Sequence, residues 1–548
     1  MMKDNFTRFL LNSMKANRHL TAFSNYENQG ITYGEVESRI ARLHGLFHTA
    51  GLKKGDRVAF LGKNSSQWAI SYLATITYGA VVVPIMPNFT PTDVHHIINH
   101  SDAVWIFANQ NLWDTLESEK MFNLKAAISL EDFSELFSKK GKKSEKISAF
   151  HAIKDEPIEE GVFHPAEVPN SEIYAIIYTS GTTGYSKGVI LTHNNITSNM
   201  VYARTHMPLV AGDPILSFLP LAHAYGCAIE LLYPFTLGCH ITFLGKTPTP
   251  QILIKAFKEI KPRLILSVPL IIEKIYKKQI KPLIDKPLIK ILMNVPFMEK
   301  NIMTKVNNKL TETFGGNFHE VVIGGAALNE EVQTFLKKAG FAITIGYGMT
   351  ECAPLISYAG WKKTKLGSAG KVVDNMEMKI DSEDPQNIVG EILVKGEHVM
   401  AGYYKNPEAT AETIDKDGWL HTGDLGIIDK DGFLFIRGRS KSMILGPSGQ
   451  NIYPEEIESF VSNWPYVMET LIVERKDVLV ALIYPDFDAA DSHHLSEQQM
   501  AELFENKRKE LNKQLASYMQ VGRIQIVPNE FEKTPKRSIK RFMYSHSE

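Results

Sequence analysis

The chain has 548 residues, which is too many for one hydrophobic core, so its length predicts two or more domains. Hydrophobic residues make up 44% of the sequence and charged residues 22%, as in globular proteins, and a net charge of −1 argues against a nucleic-acid-binding protein. Three cysteines without a CxxC pair exclude a disulfide framework, and the start of the chain lacks the apolar run of a signal peptide. We therefore expect a cytoplasmic protein.

The beginning of the chain alternates between helix-like and strand-like patterns. Polar and apolar residues repeat with helical spacing in residues 33–50, 68–78 and 92–100. Short apolar and β-branched runs indicate buried strands within residues 55–61, 80–85 and 104–108. This alternation predicts an α/β fold, in which a large N-terminal layered domain contains mostly parallel sheets.

A loop rich in glycine and hydroxyl side chains follows the apolar run Ile173–Tyr178. Glycines let backbone amides wrap around an anion, hydroxyls add donors, and Lys187 adds a positive charge. The string is not a Walker loop, because no Gly-Lys-Ser/Thr falls four residues after a glycine. It predicts a polyphosphate cradle rather than a plain surface loop. The other residues of this cradle would be Thr179, Ser180, Gly181, Thr182, Thr183 and Gly184.

The segment from Pro214 to Leu244 carries one formal charge, that of Glu230. Its length alone would allow a membrane span, but prolines, glycines and histidines interrupt it before any apolar stretch reaches about 18 residues. We interpret the segment as buried helix and strand around a pocket, and we expect no transmembrane segment. Peripheral membrane contact stays open, because the sequence alone gives no clear signal for it.

Turn-forming strings mark a second boundary. The turn Asp429–Gly432 is followed by Gly438–Lys441 and by Gly446–Gly449. The elements predicted beyond it are helices near residues 454–463 and 496–515 and strands near 469–473 and 478–484. We therefore predict a large domain of residues 1–440 and a small, mobile α+β lid domain of residues 441–548.

Several ordered strings resemble the motifs of the adenylate-forming superfamily, which includes acyl-CoA synthetases, peptide-synthetase adenylation domains and firefly-type luciferases. The strings are Tyr178–Gly188, Leu219–Gly226, Val322–Leu328, Ile345–Glu351, Gly418–Asp424 and Gly438–Arg439. Those enzymes join a carboxylate to AMP by using ATP, and then usually pass the acyl group to a thiol. The resemblance covers nearly the whole chain. It places Lys441 at the hinge between two lid orientations, although an exposed lysine without a role is an equal reading.

The resemblance implies catalytic roles for four residues within these strings. Lys187 would hold the outer phosphates and accompany pyrophosphate. Thr350 would donate to the α-phosphate or to the substrate carboxylate. Glu351 would bind Mg²⁺, which takes one or two carboxylates together with phosphate oxygens. His223 would lie beside the acyl tunnel, where it either gates the carboxylate region or is simply a buried, hydrogen-bonded histidine.

The same resemblance implies how the nucleotide is held. A flat ligand can lie on a backbone of small residues, and an aromatic ring can stack on adenine. Asp424 would accept hydrogen bonds from the ribose hydroxyls, and Arg439 would reach ribose or phosphate. The residues implied near adenine are Gly324, Gly325, Ala326, Tyr347 and Gly348.

One departure from the superfamily pattern lies near the C-terminus. The family typically has Thr-x-x-Gly-Lys-x-x-Arg there, and its lysine contacts the carboxylate and the α-phosphate during adenylation. Alignment on Thr534 and Arg541 puts Ser538 at the lysine position, and serine supplies no charge. Either Lys536 or Lys540 takes over this role, or adenylation is slow.

The string Leu219–His223 and the apolar segment after it are more similar to fatty-acyl members of the superfamily than to peptide-synthetase members. The sequence thus predicts an acyl-CoA synthetase that uses ATP and Mg²⁺ to convert a fatty acid to acyl-AMP and transfers it to CoA, releasing AMP and pyrophosphate. Two alternatives stay open: a ligase that loads an acyl carrier protein, and a weakened acyl-adenylate-binding protein, motivated by Ser538. The sequence does not rank acyl chain lengths.

Overall fold

The computed structural model describes residues 1–139, 163, 165–179, 187–445, 450–476, 478–534 and 539–544. They form two compact units, which we call the first unit and the second unit. The first unit comprises residues 1–328, 335–377 and 394–420. The second unit comprises residues 329–334, 378–393 and 421–548.

Among the described residues, the largest sheet of the first unit has eight strands, and we call it the large sheet. Its middle strands run parallel, and antiparallel strands lie towards both edges. The β-branched strand Val81–Ile85 is buried at every position, as expected for a strand covered on both faces. In spatial order the strands are Gly402–Tyr403, Lys187–Thr192, Ile173–Thr179, Val81–Ile85, Arg57–Leu61, Ala103–Ala108, Ala126–Ser129 and Glu135–Ser138.

Smaller sheets accompany the large sheet in the first unit. A mixed sheet contains Pro214–Ser217, His240–Phe243, Thr21–Asn25 and Gly30–Thr32. A fully parallel sheet contains Leu264–Ser267, Glu320–Ile323 and Ile343–Ile345. An antiparallel sheet contains Tyr347–Gly348, Leu355–Tyr358 and Lys371–Val372. The predicted α/β fold with mostly parallel sheets is confirmed.

Local sequence explains where several helices begin. Thr32 and Glu35 exchange side-chain and backbone hydrogen bonds at one helix start, and Thr192 and Asn195 do so at another. The main helices that include first-unit residues are Phe6–Ala16, Tyr33–Ala50, Ser66–Tyr78, Pro91–His100, Gln110–Trp113, His193–His206, Pro250–Ile260, Pro269–Ile275, Lys281–Ile284, Pro287–Met293, Pro296–Thr313, Glu330–Lys338 and Pro407–Thr413. Short 3₁₀ turns lie at Ser118–Lys120 and Thr350–Cys352, and a π-helical turn lies at Tyr276–Ile280.

The weakly charged segment 214–244 is buried helix and strand, as predicted. Between its two strands, the helical run consists of Ala224–Gly226, the π-helix Cys227–Leu232 and Tyr233–Leu237. Every residue of the π-helix is buried, including Glu230. Across the part of the chain that the structure describes, no helix is long and apolar enough to cross a bilayer.

The second unit has its own core, in which Ile457, Ile483, Phe504 and Leu511 pack together. Its strands, some of which begin or end just outside the unit, are Met376–Asp381, Gly390–Gly396, Leu420–Ile428, Leu434–Arg439, Ile444–Leu445, Asn451–Ile452, Val467–Arg475, Val478–Pro485 and Val521–Ile526. Its helices are Ser440–Ser442, Pro454–Val461, Phe487–Ser492, Glu497–Asn512, Ser517–Met519 and Arg541–Met543. These elements match the α+β pattern expected for the end of the chain.

Candidate active site

The two ends of the predicted phosphate loop are paired on neighbouring strands of the large sheet. Thr179 ends the strand Ile173–Thr179 and pairs with Lys187, which begins the next, antiparallel strand. The strand register therefore fixes both ends of the loop. The remaining predicted loop residues, Ser180, Gly181, Thr182, Thr183 and Gly184, lie outside the described residues.

A cation, an aromatic ring and a carboxylate lie in a row at the Lys187 end of this loop. The Nζ atom of Lys187 lies 4.8 Å from the ring centre of Tyr403. The hydroxyl of Tyr403 donates to Oε1 of Glu351 at 2.9 Å. Pairing of Tyr403 with Val189 brings the ring to the strand that Lys187 begins. Burial, reinforced by the carboxylate of Glu351, raises the pKa of Tyr403, so the hydroxyl remains a donor.

Buried polar side chains hold the segment that follows Glu351. The side chain of Asn199 donates to the carbonyl of Cys352 at 3.3 Å and accepts from the amide of Leu355 at 3.1 Å. Nδ1 of His398 donates to the carbonyl of Leu355 at 2.7 Å. Burial lowers the pKa of His398 to about 4, so the ring is neutral near neutral pH. These bonds fix the backbone on the C-terminal side of the carboxylate.

The ends of two parallel strands bring two predicted nucleotide segments to one edge of a sheet. Strands Glu320–Ile323 and Ile343–Ile345 run side by side, and the residues after them, 324–326 and 346–348, leave at their carboxyl ends. The amide of Gly346 donates to the carbonyl of Ile323 at 2.9 Å. A Cβ atom on Gly348 would lie 2.1 Å from a carbonyl oxygen, so glycine is required there. Ligands of α/β proteins commonly bind at such strand ends.

Tyr225 connects the predicted histidine to this edge. A Cβ atom added at Gly324 would lie 3.1 Å from the Tyr225 ring, and the Tyr225 hydroxyl donates to the carbonyl of Val322 at 3.1 Å. The amide of Tyr225 donates to Nδ1 of His223 at 3.3 Å. A neutral His223 ring therefore carries its proton on Nε2. The histidine is half-buried at the start of a helical turn.

The buried Glu230 and the half-buried Asn64 clamp the loop that leads to this histidine. Oε2 of Glu230 accepts from the amides of Phe218 and Leu219, each at 3.0 Å. From another element, Asn64 donates to the carbonyl of Leu219 at 2.7 Å and accepts from the amide of Leu221 at 3.0 Å. Burial raises the pKa of Glu230 well above its usual range, whereas the two amide donors act in the opposite direction.

In the second unit, Asp424 and Arg439 are cross-strand partners in a hairpin. Nε of Arg439 lies 3.1 Å from Oδ1 of Asp424. The side chain of Asp424 is 10% exposed and that of Arg439 is 73% exposed. The pair thus offers a partly shielded acceptor next to an accessible cation, which suits a polar, anionic ligand.

The C-terminal basic string is anchored in the second unit through Arg541. The guanidinium of Arg541 donates to the carboxylate of Glu458. Burial raises the pKa of Glu458 to about 7, although the positive charge of Arg541 acts in the opposite direction. Lys540 is half-buried next to this anchor, whereas Lys536 and Ser538 lie outside the described residues. The position of a replacement lysine stays a prediction.

A magnesium ion at this site would depend on Glu351. In the ranges with assigned structure, no group of three or more His, Cys, Asp or Glu side chains could hold a metal ion. Mg²⁺ in nucleotide-dependent enzymes needs only one or two carboxylates, because phosphate oxygens and water complete its shell. Glu351 accepts one hydrogen bond from Tyr403, and a carboxylate has further lone pairs for a cation. The residues present fit such an ion.

Three residues that shape this region were missed from the sequence. Tyr403 lies in a Gly-Tyr-Tyr string to which no motif drew attention. Asn199 and His398 are buried, and their roles depend on partners far away in the sequence. For Asn199, the sequence offers one signal, which is that polar residues interrupt the apolar pattern of the helix His193–His206 on which it lies.

Comparison with known proteins gives two family matches. The AMP-binding enzyme model matches residues 11–404, and the model of the AMP-binding enzyme C-terminal domain matches residues 441–546. Similar proteins include the long-chain-fatty-acid–CoA ligase FadD15 of Mycobacterium bovis, which is 30% identical over 84% of this chain and 78% of its own length. Another is 4-coumarate–CoA ligase 4 of Arabidopsis thaliana, which is 28% identical over 91% of this chain and 83% of its own.

A solved structure has a similar fold. ATP-bound MatB from Rhodopseudomonas palustris superposes with a TM-score of 0.78 at 23% identity, covering 99% of this chain and 98% of MatB. The likeness extends over both sequence regions that the family models match.

Proposed function

This chain belongs to the AMP-binding enzyme family, and from that premise we propose that it is an ATP-dependent fatty-acid–CoA ligase. It converts a fatty acid and ATP to acyl-AMP and pyrophosphate, and then transfers the acyl group to CoA with release of AMP. The observation that carries this proposal is the row formed by Lys187, Tyr403 and Glu351 at the end of the predicted phosphate loop.

The row suits the electrostatic problem of the first step. Attack of a carboxylate on the α-phosphate brings two anions together, so the enzyme must neutralise charge and align the reactants. Lys187 supplies a positive charge to the outer phosphates and stays with pyrophosphate as it leaves. Glu351 would hold Mg²⁺, which would supply further positive charge beside the phosphates. Thr350, which is buried beside Glu351, donates to the α-phosphate or to the substrate carboxylate.

The remaining predicted residues bind the nucleotide. Gly324, Gly325 and Ala326 present a flat backbone beside adenine, Tyr347 stacks on the ring, and Gly348 allows the close turn after it. In the second unit, Asp424 accepts from the ribose hydroxyls and Arg439 provides a cation. Ser538 stands at the position where the family has a lysine, and either Lys540 or Lys536 supplies the missing positive charge. We place the domain boundary near residue 440, with Lys441 as the hinge.

A fatty acid is the proposed substrate class. The chain resembles proteins named long-chain-fatty-acid–CoA ligases at about 30% identity over most of its length. Its loop before His223 leads directly into a largely buried, mainly apolar helical run, which can line a pocket for an alkyl chain. Proteins of similar sequence or fold are also named for aromatic acids, so the choice of acid must be measured.

The experiment is pyrophosphate release by the full-length chain with ATP, Mg²⁺ and single acids from acetate to palmitate, together with aromatic acids, each with and without CoA. We expect release with fatty acids, and faster turnover with CoA. The matched control is Lys187→Met, purified in the same way, which should retain the fold and lose pyrophosphate release. Release with an aromatic acid alone would overturn the substrate class. ATP binding without release from any acid would overturn the ligase proposal.

A further inference from the structure

The described part of the first unit has an exposed apolar face that its catalytic residues do not use. It comprises the short helices Lys281–Ile284 and Pro287–Met293 and the start of the helix Pro296–Thr313, and we call it the 281–300 face. Pro287–Met293 contains five Leu, Ile or Met residues, yet none of its residues is buried. A helix with so little polar surface is normally buried in a core or in lipid.

Large apolar side chains are concentrated on and beside this face. Phe297 is 76% exposed, Leu288 67% and Ile291 65%. Further exposed members are Leu270, Leu283, Val295 and Met298. Large apolar side chains that are exposed together in one short segment indicate an interaction site, unlike apolar residues scattered singly over a surface.

Lysines accompany the apolar side chains. The sequence repeats Lys-Pro-Leu-Ile at 281–284 and 286–289, so that each repeat puts a lysine next to an exposed leucine. Residues 274–300, which include the turn just before the face, contain seven lysines and two acidic residues, a net charge of +5, whereas the whole chain has a net charge of −1. Of the two acidic residues, Asp285 is paired with Lys290 at 3.0 Å and lies 3.7 Å from Lys281, and Glu299 is paired with Lys338.

We propose that the 281–300 face binds an anionic lipid bilayer. Short helices with apolar side chains on their exposed surface insert shallowly at the boundary between headgroups and acyl chains, and adjacent lysines are attracted to anionic headgroups. An acidic soluble partner would match the charge but would leave the exposed Phe297, Leu288 and Ile291 without an apolar counterpart. The combination of both features favours the lipid surface. The inference concerns binding only, so it stands or falls independently of the ligase activity.

The test is co-sedimentation of the full-length protein with sucrose-loaded vesicles, either of phosphatidylcholine alone or with about 30% phosphatidylglycerol. We expect the protein to bind anionic vesicles at least about tenfold more tightly than neutral vesicles. We also expect the affinity for anionic vesicles to fall as the salt concentration is raised. The triple variant Leu288→Ser, Ile291→Ser, Phe297→Ser and the double variant Lys278→Gln, Lys286→Gln should each lower the affinity by about tenfold or more.

A matched control carries Phe122→Ser and Val210→Ser. These residues of the same unit are 71% and 66% exposed and lie outside the face, so the control removes one aromatic and one aliphatic side chain of comparable exposure. It should bind like the parent protein, and thermal unfolding should show that all variants are folded. No binding to anionic vesicles, or equal loss in control and triple variant, would overturn the proposal. Self-association of the parent that the triple variant abolishes, without vesicle binding, would instead make the face an interface between copies.

Discussion

The hydroxyl of Tyr403 donates to Oε1 of Glu351 at 2.9 Å. Because the same ring lies under the Nζ atom of Lys187, one tyrosine contacts both the lysine predicted to hold the phosphates and the carboxylate predicted to bind Mg²⁺. A donor to one carboxylate oxygen orients the carboxylate and leaves its other lone pairs for a cation. Tyr403 is thus a positioning residue for Glu351.

Tyr403→Phe should lower pyrophosphate release by about tenfold, because a net hydrogen bond to a charged group contributes roughly 1.5 kcal/mol or more. The ring under Lys187 is retained, so the variant isolates the hydroxyl. We also expect a higher Mg²⁺ concentration for half-maximal activity, since the carboxylate is less well oriented. Titration of Mg²⁺ at saturating ATP measures this effect.

The neighbouring residue supplies the control. Tyr404 donates to Oδ2 of Asp102, also at 2.9 Å, so Tyr404→Phe removes a bond of the same type and length away from Glu351. It should leave the Mg²⁺ dependence unchanged. Equal Mg²⁺ shifts in the two variants would show that Tyr403 acts through general stability rather than through Glu351.

Sequence reasoning reached those features that depend on local pattern. The strand that ends at Thr179, the buried character of segment 214–244 and the α+β order of the last hundred residues follow from periodicity and turn residues alone. The contacts of Tyr403 and His398 could not be predicted in this way. They join residues between 43 and 216 positions apart, and only the tertiary fold, including the pairing of Tyr403 with Val189, brings them together.

Asp424→Asn should weaken ATP binding by about tenfold, because the shielded carboxylate is replaced by an amide that accepts more weakly. The expected result is a higher KM for ATP with a smaller change in kcat. Asp429→Asn is the control, since Asp429 caps the turn of the same hairpin and accepts from the amide of Phe433 at 2.9 Å. A KM for ATP that is unchanged in Asp424→Asn would remove the ribose role from this residue.

Glu230 provides a test of the loop clamp. Glu230→Leu leaves the amides of Phe218 and Leu219 without their acceptor, which should destabilise the protein by roughly 2–3 kcal/mol and slow pyrophosphate release. Glu230→Gln keeps an acceptor oxygen for both amides in a side chain of nearly the same shape. It should therefore remain near the parent in melting temperature and in rate. If Gln were as damaging as Leu, the acceptor role would be wrong.

His398 should make the first unit sensitive to acid. Its pKa is lowered by burial from 6.5 to about 4, so the unfolded chain binds a proton at a higher pH than the folded protein does. Stability from this group is therefore fully present above about pH 6.5 and is lost as the pH falls towards about 4. His398→Gln removes the titration and retains a donor for the carbonyl of Leu355, so its melting temperature should fall less steeply between about pH 6.5 and 4.5.

The comparison needs a second buried histidine. Burial also lowers the pKa of His193 to about 4, but its ring nitrogens have no hydrogen-bond partner among the described residues. His193→Gln should flatten the acid dependence of the melting temperature to a similar extent, since both groups titrate over the same range. Of these two histidines, only His398 bonds to the segment that follows Glu351, so loss of its donor in His398→Leu, but not loss of the ring in His193→Leu, should also slow pyrophosphate release. Melting temperature and rate are compared across pH for the Gln and Leu variants, and equal rate changes in the two Leu variants would contradict the positioning role of His398.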